Sequence, residues 1–194
     1  MNPILTAIHA RRSVSPRRLT GRALSIEELT TLAEAAAAAP DHGNLGPLHL
    51  IAVAPEDRAA LAEVFARAAL EADPAASAED LGRARDRALA APTLIAIVAR
   101  IDDRHPAVPA SEQWISVGAG LQNALLVLET LGCRGRIVSG RRVASQALRS
   151  AFGLTEAEHL AGFIAIGAFE GDPKPARRRA TESVLSIWRR PEGR

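Results

Sequence analysis

Apolar positions along this chain follow two periods, one helical and one of strand type. Prolines and glycines stand at most of the changes between them. Ile4, Leu5 and Ile8 share a face of a short helix over Pro3 to Ala10. Ser25 opens a second helix, because Glu28 three residues on completes a capping box. Ile26, Leu29, Leu32 and Ala33 are its expected inner stripe, and Pro40 ends it. LHLIAVA, from Leu48 to Ala54, reads as a buried strand.

Pro55 restarts a helix, with Leu61, Val64, Phe65 and Leu70 at helical spacing, and a charged amphipathic stretch runs from Ser77 to Ala90. TLIAIVA after Pro92 is a second buried strand. Pro109 and Glu112 announce a long helix from about Ser111 to Leu131, closed by Gly132. GRIVSG reads as a short strand and turn, Ser145 to Phe152 as a helix, and AGFIAIGAF as a third strong strand. Strands and helices do not alternate regularly. The pattern therefore predicts an α+β fold: a mostly antiparallel sheet between helices, with the Ser111 helix central.

Length adds that one core suffices, so 1–194 is expected to be a single domain with a Pro- and Arg-rich tail from about Glu170. A composition of 47% hydrophobic and 24% charged residues is that of an ordered globular chain. The net charge is only +2, and Lys174 is the sole lysine. A nucleic-acid reading would rest on Arg177 to Arg179 and on Arg189 and Arg190, and the lone Trp188 beside them does not make a set of stacking aromatics. Cys133 is the only cysteine, which fits a reducing compartment. The N-terminus lacks a secretory signal pattern, and the longest apolar run carries Gln122 and Asn123, so neither export nor a membrane span is expected. A cytoplasmic protein is the resulting expectation.

Several motifs fail. GAGLQNA at Gly118 lies inside a helix, follows no strand and has Asn123 where a third glycine belongs, so it is no dinucleotide fingerprint. Gly118 and Gly120 are better suited to close helix approach. His42 and His49 lack the partners of a metal site. Asp41 and Asn44 favour turns, so APDHGNLGP taken alone reads as a structural loop. ARRS could clasp a phosphate through forked guanidinium bonds and a hydroxyl, or be a solvated basic turn.

Four pieces in order, ARRS at Ala10, APDHGNLGP at Ala39, VPASEQ at Val108 and GFIAIG at Gly162, resemble the nitroreductase family, specifically its compact branch of small FMN-dependent NAD(P)H oxidoreductases. The resemblance extends to about Phe169. It implies a homodimer with two FMN sites at the subunit interface and ping-pong chemistry. NAD(P)H gives electrons to the flavin and leaves, and a nitroaromatic, quinone-like or related small acceptor then takes them. It implies no catalytic side chain, because the chemistry belongs to the flavin. Arg11, Arg12 and Ser13 match the phosphate-side motif. His42 matches a histidine that meets flavin from the partner subunit. Ile137, Val138 and Ser139 match the segment along the cofactor, and Val127 to Gly132 a helix end that meets nicotinamide.

The chain departs from this pattern in places. Ala38 stands where arginine is common, Leu48 where tryptophan follows the loop proline, and Ile137 and Val138 where a Trp-Arg pair precedes Ser-Gly. These departures motivate an alternative, a flavin-binding or purely structural dimer that has lost turnover.

Overall fold

Four strands pair in the order β1-β2-β4-β3, every pairing antiparallel: β1 (Leu48–Ala52), β2 (Thr93–Arg100), β3 (Arg134–Val138) and β4 (Glu158–Gly167). The computed structural model describes residues 2–176 and 178–190. Its helices are α1 (Pro3–Ala10), α2 (Ile26–Ala37), α3 (Arg58–Ala72), α4 (Ala78–Leu89), α5 (Ala110–Thr130) and α6 (Gln146–Ala151). The expected α+β architecture is thus the one that forms.

Both sheet faces are covered, so the central strands are apolar on alternate positions of each face. On β2, Leu94, Ala96 and Val98 join the cluster under α3, α4 and α6, while Ile95 and Ile97 join the one under α2 and α5. On β4, Phe163 and Ala165 face the first layer, Ile164 and Ile166 the second. A bulge lies in this pairing: Ile97 is opposite Gly162, but Val98 is opposite Leu160. The extra residue, Ala161, lets Leu160 and Phe163 fall on the same face despite their odd spacing.

Two glycines are required by close approach. A Cβ on Gly120 would lie 2.9 Å from the Ala36 carbonyl oxygen and 2.7 Å from Leu48 Cδ2, so α2 can close on α5 only over a glycine. Gly118, expected to act likewise, meets nothing within 4 Å and faces outward. At Gly162, with φ at 156°, a Cβ would lie 2.8 Å from the Val138 carbonyl oxygen. That contact sets the end of β3 against β4.

The inner stripe of α2 is displaced from the expected one. Leu32 and Ala36 are buried and Leu29 packs against them, whereas Ala33 is exposed and Ile26 is 70% exposed. Ile26 lies about 90° off the centre of the true stripe, in the first turn, where the sheet no longer covers the helix. In α1 none of the residues is buried, and Ile4 and Leu5 stay open.

Arg58 is the buried exception among the charges. Its guanidinium donates to the carbonyls of Ala88, Ala91 and Pro92, closing the C-terminal end of α4. Burial pushes its pKa down.

Three carboxylates carry the caps and turns. Glu28 is held at about 2 by hydrogen bonds from Arg22 and the Ser25 N–H. Asp80 is held at about 2 by the Ser77 hydroxyl, Arg83 and the Ser77 N–H, and Glu158 at about 2 by the Thr155 N–H and Arg100. Each is depressed from ordinary values of 3.8 to 4.5, so its contribution is complete above about pH 5 and is lost as pH falls toward about 2. The thermal midpoint is therefore expected to drop through that window, and less steeply in Glu28→Gln. Identical slopes for the two proteins would remove Glu28 from this account.

Candidate functional site

A cleft of about 1010 Å³ opens between α3, α4, α6 and the end of β3. Phe65, Leu94, Leu148 and Phe163 form its apolar wall, with Phe65 and Phe163 in tilted contact at 5.1 Å between ring centres. Val138, Ser139 and Gly140 also line it. Because β3 is an edge strand, its outer N–H and C=O groups have no partner strand and face outward. The segment Ser15–Arg17 completes the lining. Reciprocal hydrogen bonds between Thr20 and Ala168, at 2.8 and 2.9 Å, and Arg18 stacked 4.7 Å over Phe169, hold this segment to the end of β4.

Guanidiniums surround the cleft. Arg17, Arg87, Arg136, Arg141 and Arg142 all line it, and Asp73 is the one carboxylate among the lining residues. The pKa of Arg87 is lowered first by burial and then by the positive charges of Arg142 and Arg17.

The sequence-expected residues divide into two places. Arg11, Arg12 and Ser13 run from α1 into the cleft segment, which buried Val14 pins down. Arg11 points its guanidinium at the Ser13 hydroxyl, 3.3 Å away. Arg12 turns back and donates to the carbonyls of His9, Ala10 and Arg11, closing the end of α1. Arg178 reaches the same end from the tail, at 3.1 Å from the Ile8 oxygen. Arg177 lies outside the described residues. Val138 and Ser139 line the cleft and Ile137, 38% exposed, stands beside them on the edge strand. At the end of α5, Gly132 turns the chain with φ at 67°, and the Cys133 N–H bonds the Leu128 carbonyl at 2.9 Å.

His42 is elsewhere. Its loop leads into β1, the opposite edge of the sheet from β3, about 14 Å away by three strand spacings. The Gly46 N–H donates to Asp41 Oδ2 at 2.7 Å, and Gly43, Asn44 and Gly46 take positive φ, so this is a built turn. His42 projects from it, with Nδ1 2.7 Å from Glu112 Oε2. Glu112 belongs to VPASEQ, and the rest of that motif secures the same corner. Gln113 is buried and bridges the Asp102 N–H, the Asp102 carbonyl and the Val108 carbonyl at 2.8 to 3.0 Å. A Cβ on Gly43 would touch Val108 Cγ2 at 3.2 Å. Ala38 ends α2 one turn earlier and is exposed. His49 pairs with Arg100, which also binds Glu158 at 2.8 Å, so that histidine braces the sheet.

Glu112 and the guanidiniums around the cleft escaped the sequence reading. Only Arg141 and Arg142, adjacent after Ser139 and Gly140, left a signal there. Among the described residues no group of three or more His, Cys, Asp or Glu could hold a metal ion, and no helix is long and apolar enough to cross a membrane.

The model of the nitroreductase family matches residues 8–168. The chain is 35% identical to a Haemophilus influenzae protein described as "Putative NAD(P)H nitroreductase", over 84% of this chain and 86% of that one. The structure of a nitroreductase-like family protein from Bacillus cereus superposes with a TM-score of 0.82 at 25% identity, covering 95% of each chain. A Desulfovibrio desulfuricans structure, described as a "putative nitroreductase in complex with FMN", superposes at 0.72 with 23% identity, covering 98% and 99%.

Proposed function

Since the chain belongs to the nitroreductase family, we propose that it is an FMN-dependent oxidoreductase passing electrons from NAD(P)H to nitroaromatic, quinone-like or related acceptors by a ping-pong cycle. The observation that carries this reading is the cleft beside β3. A flavin mononucleotide needs an apolar bed for its ring, backbone groups for its polar edge and cations for its phosphate. The cleft offers the Phe65, Leu94 and Phe163 wall, the free edge of β3, and the adjacent Arg11–Ser13 pair. These residues fit the group. Relatives described as an NAD(P)H nitroreductase and as an FMN complex support the same choice of cofactor and donor.

In this reading Arg11 and Ser13 hold the phosphate by charge-assisted hydrogen bonds, and Arg12 contributes by fixing the end of α1. Ile137, Val138 and Ser139 meet the polar edge through their backbone, so the missing Trp-Arg side chains are not needed there. The apolar wall keeps water from the ring. His42 enters from the partner subunit with its ring oriented by Glu112, which leaves Nε2 directed away from the carboxylate. When bound, FMN supplies the hydride and electron transfer, and no protein nucleophile is required. The unit is a single-domain chain acting as a cytoplasmic homodimer. Its open apolar residues, among them Ile115 at 70% and Trp188 at 81% exposure, suit burial against a second copy.

The test is the absorption spectrum of the purified dimer followed by NAD(P)H oxidation with a nitroaromatic or quinone acceptor. Absence of bound flavin after incubation with FMN would sink the proposal. Bound flavin without oxidation would leave the noncatalytic dimer. Ala38→Arg provides a graded check. Position 38 is exposed and lies at the C-terminal end of α2, which has no basic residue in its last turn, so an arginine there suits the helix. FMN affinity is expected to rise by roughly fivefold or more with stability unchanged, from one added charge-assisted contact. An unchanged dissociation constant would separate position 38 from the site.

A further inference from the structure

We propose that the arginine-lined cleft selects ligands carrying an anionic group, so that the acceptor reduced here is an aromatic carboxylate or a similarly charged compound in preference to a neutral one. This rests on the flavin reading above and names its substrate class.

The argument begins with how arginines are used across the molecule. Arg22, Arg83, Arg85, Arg100 and Arg134 each pair with a carboxylate. Arg58 and Arg149 are spent on backbone carbonyls. Arg67 and Arg104, away from the cleft, also lack a carboxylate partner among the described residues, so what sets the cleft apart is that several such guanidiniums converge on one opening. Among the described residues, Arg17, Arg87, Arg141 and Arg142 have no carboxylate partner within salt-bridge distance.

These four do not form one run of basic sequence. They come from the turn Pro16–Arg18, the last turn of α4 and the turn Arg141–Ala144, and the fold brings them to one opening. Like charges gathered there raise the energy of the empty site, and the pKa of Arg87 is lowered first by burial and then by Arg142 and Arg17. An anion relieves that repulsion. The flavin phosphate has its own clasp at Arg11 and Ser13, neither of which lines the cleft. Asp73 offsets one charge of five. Beside the guanidiniums, Ala68, Val143 and Leu148 give apolar lining outside the Phe65, Leu94 and Phe163 bed assigned to the flavin ring. The combination suits a flat apolar body with a charged substituent. In a ping-pong cycle the phosphate-bearing donor occupies the same opening in the other half-reaction, so both partners meet the same field.

The experiment compares 4-nitrobenzoate with 4-nitrobenzamide, close in shape but not in charge, using the flavin-loaded dimer. Wild type is expected to favour the carboxylate in kcat/KM by about tenfold or more at low salt, narrowing as salt rises. Arg87→Gln and Arg142→Gln are expected to lower that ratio several-fold while FMN affinity holds. A wild-type ratio of one or less overturns the inference. So does a loss of FMN affinity in these variants with the ratio intact, which would assign the guanidiniums to the flavin phosphate. Calorimetric titration of the full chain with both compounds separates this from the flavin reading. Arginine-dependent preference for the carboxylate in a protein without turnover would retain the anion site and discard the enzyme. Equal binding of the two compounds there would discard the anion site.

Discussion

Arg58→Met is expected to lower the unfolding free energy by roughly 2–5 kcal/mol, because each buried carbonyl left without a donor costs on the order of 1–3 kcal/mol. Arg58 is 6% exposed, and its guanidinium serves the carbonyls of Ala88, Ala91 and Pro92 together. Methionine keeps the apolar stem and removes every donor, so packing changes little while the α4 end loses its closure. The loss is a large share of the 5–15 kcal/mol typical of a whole domain. It also bears on the site, since Arg87 stands beside Ala88 and Ala90 lines the cleft. Urea denaturation measures the effect. Arg58→Lys keeps the charge but not the planar fork, and is expected to fall between the two. A midpoint for Arg58→Met equal to wild type would mean that water reaches those carbonyls without penalty.

Arg58 also marks where reading the chain stops. Element types were legible because helical and strand periods are local. The Ser25–Glu28 capping box, the apolar alternation of TLIAIVA and the proline before the long helix each sit within a few residues of what they determine. An arginine entering a helix looks like any solvated charge. Only the fold brings it to a carbonyl 30 residues away. Ile26 failed for a related reason, since helical spacing says which residues share a face but not how far the neighbouring layer extends over it.

The site was legible in pieces and opaque in assembly. ARRS, the His42 loop and Ile137–Ser139 were found by their order along the chain. Their distribution to opposite sheet edges depends on the strand order β1-β2-β4-β3, which no short stretch encodes. VPASEQ was visible as a motif, yet its use of Glu112 to hold His42 spans 70 residues. The guanidiniums around the cleft converge from two turns, the end of α4 and strand β3, so beyond the adjacent Arg141 and Arg142 they formed no pattern in the sequence.

Co-expressing an Arg11→Ala chain with a His42→Ala chain is expected to restore FMN sites that neither variant supports alone. Within one chain the Arg11–Ser13 pair adjoins the cleft at β3, whereas His42 stands at the β1 edge beyond β2 and β4. Side-chain rearrangement alone does not span about 14 Å of intervening sheet, and the proposed shared site joins the two residues by placing the flavin between two chains. Each single substitution removes a contact worth on the order of 1.5 kcal/mol or more, lowering affinity about tenfold or beyond. At an FMN concentration between the wild-type and variant dissociation constants, both parent homodimers are then mostly empty. In the mixed dimer the two lesions fall in the same site. The other site receives Arg11 from one chain and His42 from its partner, and is whole. Random pairing makes about half the dimers mixed, so about one quarter of all sites bind as in wild type, a consequence of two-fold symmetry alone. Flavin absorbance retained after gel filtration counts those sites, and nitroaromatic reduction shows whether they turn over. If the co-expressed preparation holds no more flavin than the average of its parents, with mixed dimers confirmed by two affinity tags, each site lies within a single chain. A recovered quarter excludes that arrangement and shows that Arg11 and His42 of different subunits serve one flavin.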